Sequence, residues 1–305
     1  MKLSSSTRGG PRRATAAALA AAVLAGAFAV VGLGSLHRAA HADPAAAGPL
    51  TRAPDGRRLA LAFDDEFDRD GSGPGRAWRT TFGDGADPGV GQRTLATNGE
   101  MQLYVDRDYG ERIGAGPLDP FSIRQGVLHI RAEPAAAGVA AKLAGLRYTS
   151  GLISSLPMFS QRYGYFEIRA RLPRGKGLWP AFWLLPADGT WPPEIDVMES
   201  IGDPQKVFMT LHSKAANPDS VPVDLADDGF HTFAVSWDPR AVVWYVDGRE
   251  TARQPTPPDM HKPMYLLANL AVGGHWPGAP DASTRFPAEF AIDYVRAYRF
   301  ADAPS

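Results

Sequence analysis

Trp191-Pro-Pro-Glu-Ile-Asp-Val-Met-Glu-Ser200 places three carboxylates, Glu194, Asp196 and Glu199, within six residues that otherwise read as a buried strand. Ile195, Val197 and Met198 between them are apolar, and isoleucine and valine favour strands. Carboxylates are costly in a core strand unless they are paired or face a polar cleft. Crowded together they repel, and at least one is pushed to titrate above the ordinary range. On a regular strand Glu194 and Asp196 share a face, while Glu199 points the other way. A β-bulge that accommodates one extra residue around Val197 and Met198 brings Glu199 back beside the other two. The stretch therefore predicts a kinked strand whose three acids line one concave surface.

That arrangement suits proton transfer. Two carboxylates about 5–5.5 Å apart serve a retaining glycosidase, one as nucleophile and the other as acid/base. The strand steps between the glutamates span roughly 13 Å, so their side chains must lean toward each other across a substrate. Asp196, shorter and in the middle, is placed to hydrogen-bond the nucleophile. An inert, solvated acidic edge strand is the competing reading, and the apolar and aromatic flanks argue against it.

Working outward, Lys176-Gly-Leu-Trp-Pro-Ala-Phe-Trp-Leu-Leu185 precedes the acids and carries Trp179 and Trp183 four residues apart, on one face of a strand. Aromatic faces stack on sugar rings; two core tryptophans are the alternative. Eleven residues beyond Glu199 comes His212, one hairpin return away. Asn269 interrupts the apolar run Leu266-Leu-Ala-Asn-Leu-Ala-Val272, and Trp276 follows two glycines as in a loop at a cleft rim. Asn98 opens the polar stretch Asn98-Gly-Glu-Met-Gln102. Asn98, Trp179, Trp183, His212, Asn269 and Trp276 are the candidate substrate contacts.

The rest of the mature chain reads as strands. Leu59–Phe63, 126–132, 164–172, His231–Trp237 and 290–298 alternate or run apolar, and 242–246 enters an Asp247-Gly248 hairpin turn. Ala135 to Leu146 reads as a short helix or a loop. With 32 glycines and 27 prolines between the runs, and no long amphipathic helix, the pattern predicts an all-β sandwich or barrel. One domain over 57–300 is expected, after a disordered Ala/Pro/Gly-rich lead-in at 43–56 and before a tail at 301–305.

Composition narrows the chemistry. The 305 residues carry a net charge of −1 and no cysteine. Disulfides, thiolate metal sites and cysteine nucleophiles are excluded, and nothing in the charge favours nucleic acid or an anionic membrane. Neutral polyols suit such a protein. No phosphate-binding glycine loop, HExxH pair or G-x-S-x-G elbow occurs. The N-terminus resembles an export signal: Lys2, Arg8, Arg12 and Arg13, then an uncharged apolar run from Ala14 to Leu36, then Ala40-His41-Ala42. Cleavage near Ala42 and a secreted or periplasmic product are expected, against the alternative of an uncleaved anchor.

Glu194-Ile-Asp-Val-Met-Glu199 resembles the E-x-D-x-x-E signature of glycoside hydrolase family 16. Phe63-Asp-Asp-Glu-Phe67, Gln161–Arg171, Gly177–Trp183, Asn269–Gly274 and Ile292–Tyr298 are similar to other segments of that family. The resemblance implies a β-jelly-roll sandwich of two antiparallel sheets with a concave substrate cleft. It implies endo-hydrolysis of a β-linked polysaccharide with retention, Glu194 as nucleophile, Asp196 assisting and Glu199 as acid/base. Trp191-Pro-Pro and Arg93–Glu100 look like bacterial endo-1,3-1,4-β-glycanases that act on succinoglycan-type exopolysaccharides. The same residues would serve transglycosylation, and a non-catalytic glucan-binding module shares the sandwich. No cofactor is required on this reading, although a structural calcium ion at Glu66 and Asp293 is implied by the family. A polysaccharide-binding monomer is expected.

Overall fold

The computed structural model describes residues 48–68, 73–83, 89–215 and 219–301. The expected signal segment 1–42, its cleavage point and the tail from 302 lie outside the described residues. The strands in chain order are β1 (Leu59–Asp65), β2 (Gln102–Tyr104), β3 (Phe121–Arg124), β4 (Val127–Pro134), β5 (Tyr148–Ser150), β6 (Leu152–Ser154), β7 (Gly164–Arg171) and β8 (Leu178–Pro186). There follow β9 (Glu194–Glu199), β10 (Lys206–His212), β11 (Asp219–Asp224), β12 (His231–Trp237), β13 (Ala241–Val246), β14 (Arg249–Pro255), β15 (Met264–Val272) and β16 (Ala288–Phe300). Only two short α-helices, Arg107–Arg112 and Ala137–Ala140, interrupt them among the described residues. The second is a single turn within the alanine-rich stretch. No described helix is long and apolar enough to cross a membrane.

The strands form two sheets. The larger runs β14-β13-β12-β7-β16-β4-β5-β2, with β1 on β16 and β3 on β4. The smaller runs β11-β10-β9-β8-β15-β6, with every pairing antiparallel. The β13–β14 hairpin turns at Asp247 and Gly248, both at positive φ (48° and 73°). That pair of left-handed residues is what a two-residue hairpin of this twist demands.

Period-2 alternation explains why the sheets face each other. Leu178, Phe182 and Leu184 of β8, Leu266, Ala268 and Leu270 of β15, and Phe233, Val235 and Trp237 of β12 meet in one buried core. Their neighbours Ala181, Trp183, Tyr265 and Leu267 point out of the smaller sheet into a second cluster with Phe82 and Tyr104. The smaller sheet is thus lined on both faces, one by the core and one by a cleft. β9 lies inside it, between β8 and β10.

The lead-in differs from expectation where it is described. Within 48–56, Ala53 is buried, Arg52 bridges Arg58, and the Leu50 N–H donates to the Tyr298 hydroxyl at 3.1 Å. The cause is apolar cover. Leu50 and Ala53 pack over Tyr165, Tyr245 and Tyr298, which the larger sheet turns outward.

Candidate active site

The bulge predicted at Val197 and Met198 is present. On one side of β9, Asp196 pairs with Trp183 and Glu199 with Ala181; on the other, Asp196 pairs with Thr210 and Glu199 with Phe208. Three steps along β9 thus match two on each neighbour. Ile195, Val197 and Met198 all enter the core. Glu194, Asp196 and Glu199 all line the cleft, a cavity of about 620 Å³.

Each acid has its own neighbours. The Trp191 indole donates to Glu194 Oε2 at 2.5 Å. His212 Nε2 lies 3.1 Å from Asp196 Oδ2. The Trp179 indole donates to Glu199 Oε1 at 2.9 Å, and the Thr210 hydroxyl reaches Glu199 Oε2 at 3.5 Å. Asp196 and Glu199 are only 2% and 8% exposed. Burial first, then the Asp196 charge, hold Glu194 well above the usual carboxylate range. Burial and the Glu199 charge do the same to Asp196. Glu199 is pushed up to about 8 by burial; the Trp179 N–H opposes this and the Glu194 charge adds to it. Three carboxylates so close in a water-poor site cannot all be ionised at neutral pH, so they share protons as a set. A site that keeps one carboxyl protonated beside another that is charged can deliver a proton and a nucleophile together.

The other sequence candidates reach the same cleft. Asn98, Trp179, Trp183, His212, Asn269 and Trp276 all line it. They do so differently. Trp276 stands edge-on to Trp179 and to Phe208, and is 41% exposed. Trp183 is buried and donates to Asn269 Oδ1 at 2.8 Å, while Asn269 Nδ2 donates to the Tyr104 hydroxyl at 2.9 Å. The Asn269 amide is therefore engaged at both ends in the cleft wall. Asn98 donates to Glu100 at 3.4 Å.

Lining residues outside those candidates include Phe82, Tyr104, Thr210, Tyr265, Trp191 and Glu100. Trp191, which flanks the acids in sequence, caps Glu194 with its indole. Glu100 is buried beneath the cleft and accepts from Gln102 Nε2 at 2.6 Å and from the Leu95 N–H at 3.1 Å; burial raises its pKa. The alternation Glu100, Gln102, Tyr104 was the available signal for a polar, inward face.

Glu66 and Asp293 do not fit a calcium site through their side chains. Both Glu66 oxygens accept from the Arg296 guanidinium, at 2.7 and 2.9 Å, and Asp293 Oδ2 accepts from Arg169 at 2.7 Å. A carboxylate already neutralised by a guanidinium offers a cation little. Among the described residues, the carboxylates and imidazole that do cluster closely are Glu194, Asp196 and His212, in the cleft itself.

The likeness to known proteins covers the same region. The sequence pattern of the glycosyl hydrolases family 16 matches residues 91–296. An endo-1,3-1,4-beta-glycanase of Rhizobium meliloti, ExsH, is 43% identical over 247 residues, which are 79% of this chain and 52% of that protein. A beta-glucanase of Rhodothermus marinus is 35% identical over 79% of this chain and 86% of its own length. The chain spans about half the length of the Rhizobium glycanases it matches, 52% and 55% for two of them. Among solved structures, an endo-beta-1,3-glucanase from Pyrococcus furiosus superposes with a TM-score of 0.70 at 31% identity, over 84% of this chain and all of that one. With its bulged acidic strand set in the cleft of a two-sheet sandwich, the chain belongs to family 16 of the glycosyl hydrolases.

Proposed function

We propose that this chain is a retaining endo-β-glycanase that hydrolyses neutral β-1,3- or mixed β-1,3-1,4-linked polysaccharide. The observation that carries the proposal is the bulge register that brings Glu194, Asp196 and Glu199 onto one face of the cleft. Glu199, protonated at neutral pH, gives its proton to the departing glycosidic oxygen while Glu194 attacks the anomeric carbon. The bond from that carbon to the leaving oxygen breaks and an ester to Glu194 forms. Esterification removes the Glu194 charge, so Glu199 becomes more acidic. It then takes a proton from water, the water oxygen attacks the same carbon, and Glu194 leaves as carboxylate. Asp196, between the two, tunes how their protons are shared.

The lining favours neutral sugar. Aromatic side chains and four carboxylates, Glu100 included, face the cleft, and no Lys or Arg is among the described lining residues. Acidic substituents next to the scissile bond would meet like charge without a counterion. The activities named for the Rhizobium and Pyrococcus relatives, an endo-1,3-1,4-beta-glycanase and an endo-beta-1,3-glucanase, support the linkage class. Succinoglycan-type chains fit only where the cleaved stretch is itself neutral. The basic start and apolar run at 1–42 support export, which N-terminal sequencing of the secreted protein tests.

The experiment is incubation with laminarin, lichenan, succinoglycan, agarose and xyloglucan, with products sized by mass spectrometry and the first-formed anomer read by NMR. Internal cleavage of laminarin or lichenan with a β-anomer first is expected. An α-anomer first, or no cleavage of either glucan, overturns the proposal.

A further inference from the structure

We propose that Trp244, on the sheet opposite the cleft, is a positioning residue that holds the bulge and so aims the acids. The proposal rests on the assignment of Glu194 and Glu199 above. Where Val197 and Met198 of β9 together face one residue on each neighbour, the peptide groups cannot all find ladder partners. A buried carbonyl left unpaired there would be costly. Asp196 is the hinge of the kink: its side chain faces the cleft, while its carbonyl accepts the Trp244 indole N–H at 2.8 Å. The donor comes from β13, on the far side of the core, and Trp244 is fully buried.

Trp244 is itself held. β13 pairs Trp244 with Ala252 and Tyr245 with Glu250, which leaves Thr251 as the extra residue of a second bulge, in β14. The Thr251 hydroxyl lies 3.3 Å from the Trp244 carbonyl and 3.0 Å from Met209 Sδ. Met209 is the residue of β10 between Phe208 and Thr210, opposite the β9 bulge. Two bulges, one in each sheet, are thus tied together across the core, and the tie ends on the residue between the two glutamates. If it slackens, the turn of the chain between Asp196 and Glu199 is free to shift. Glu199 then loses its aim while the aromatic cleft wall, built on β8 and β15, stays in place.

The expected signature of Trp244→Phe is a fall in kcat on the order of 10- to 100-fold, because displacements of about 1 Å at a catalytic group cost that much. KM for laminarin should change less than about twofold, since sugar binding rests on other strands. Trp237→Phe is the matched control. Trp237 is fully buried in the same core, and its indole N–H has no hydrogen-bond partner among the described residues. It should lower Tm comparably and leave kcat within about twofold of wild type. If both variants lose kcat equally, Trp244 is merely structural and the proposal is overturned. Should Trp244→Phe fail to fold, benzothienylalanine at 244 keeps the bicyclic shape and removes only the N–H; unchanged kcat there also overturns it. Glu199→Gln, measured alongside, separates the two ideas. If it retains wild-type kcat, the catalytic assignment fails; if it is inactive while Trp244→Phe behaves as Trp237→Phe, only the positioning role fails.

Discussion

Trp179 donates its indole N–H to Oε1 of Glu199 across 2.9 Å, so that one ring of the cleft wall and the proposed proton donor form a single hydrogen-bonded unit. An N–H donor favours the ionised carboxylate, and this bond is the main influence that draws Glu199 back from the rise that burial causes.

Trp179→Phe keeps an aromatic face and removes that donor. A hydrogen bond to a charged group is worth about 1.5–3 kcal/mol, and 1.36 kcal/mol is one pH unit of titration. The alkaline limb of kcat/KM, expected near about 8 in the wild type, should therefore move upward by about one pH unit. The ionised Glu199 needed as base in the second half-reaction becomes harder to form, so kcat at neutral pH should fall roughly tenfold. A pH–rate profile of both proteins checks this, and an unmoved alkaline limb would show that Glu199 does not govern it.

The same burial makes a stability prediction of definite sign. Glu199 titrates at about 8 in the folded protein, against roughly 4.3 in an unfolded chain. Between those values the folded state holds the extra proton, so stability falls as pH rises through the window. Glu199→Gln abolishes that dependence. Relative to wild type it should gain Tm as pH is raised from about 4 to about 8, at about 2–4 °C per kcal/mol relieved in a domain of this size. Calorimetry at the two pH values checks it; a Tm difference that is the same at both would refute the raised titration.

Much of this site was legible in the sequence because two periods conflict there. Glu194 and Asp196 obey the strand period and Glu199 breaks it, so either one acid is buried in the core or the strand is kinked. Carboxylate desolvation decides for the kink. The alternating runs on β7, β12 and β16 were equally readable, since each strand needs one face for the core. What local pattern could not carry was long-range. Asn269 looked like a free polar group in an apolar strand, yet Trp183 and Tyr104 claim both ends of its amide. The family resemblance put calcium at Glu66 and Asp293, and nothing local shows that Arg296 and Arg169, distant in sequence, hold these carboxylates. Trp244 gave no sign of its partner at all, because a strand residue's contact across the core depends on how two sheets are stacked.

Asn269→Ala should behave as a wall mutation. It strips an acceptor from the Trp183 indole and a donor from the Tyr104 hydroxyl, both buried. Each group left unpaired costs about 1–3 kcal/mol, so Tm should fall by about 5 °C or more. With the wall loosened, KM for laminarin should rise several-fold while kcat changes less. Denaturation and steady-state kinetics together check this. A normal Tm with a collapsed kcat would instead place Asn269 in direct contact with the reacting sugar.

Deletion of Val197 tests whether the bulge matters only for which face the acids occupy. Without Val197, Glu194, Asp196 and Glu199 stand two apart along a regular strand and share a face by the strand period. The flanking registers close as well: Met198 would meet Phe182 and Met209, with Asp196 still opposite Trp183 and Thr210 and Glu199 still opposite Ala181 and Phe208. The variant loses one buried valine, worth about 1.5–3 kcal/mol, and should fold with a lowered Tm. Its activity should lie well above that of Glu199→Gln. Insertion of one alanine after Val197, in contrast, displaces Glu199 either way: it faces the core if the bulge is kept, and stands two residues beyond its place opposite Ala181 and Phe208 if the strand runs regular, so the protein should be inactive or unfolded. Circular dichroism and laminarin hydrolysis of both variants decide the matter. A folded deletion variant as inactive as Glu199→Gln would mean that the bulge sets the distance and angle between the glutamates, not just the face on which they stand.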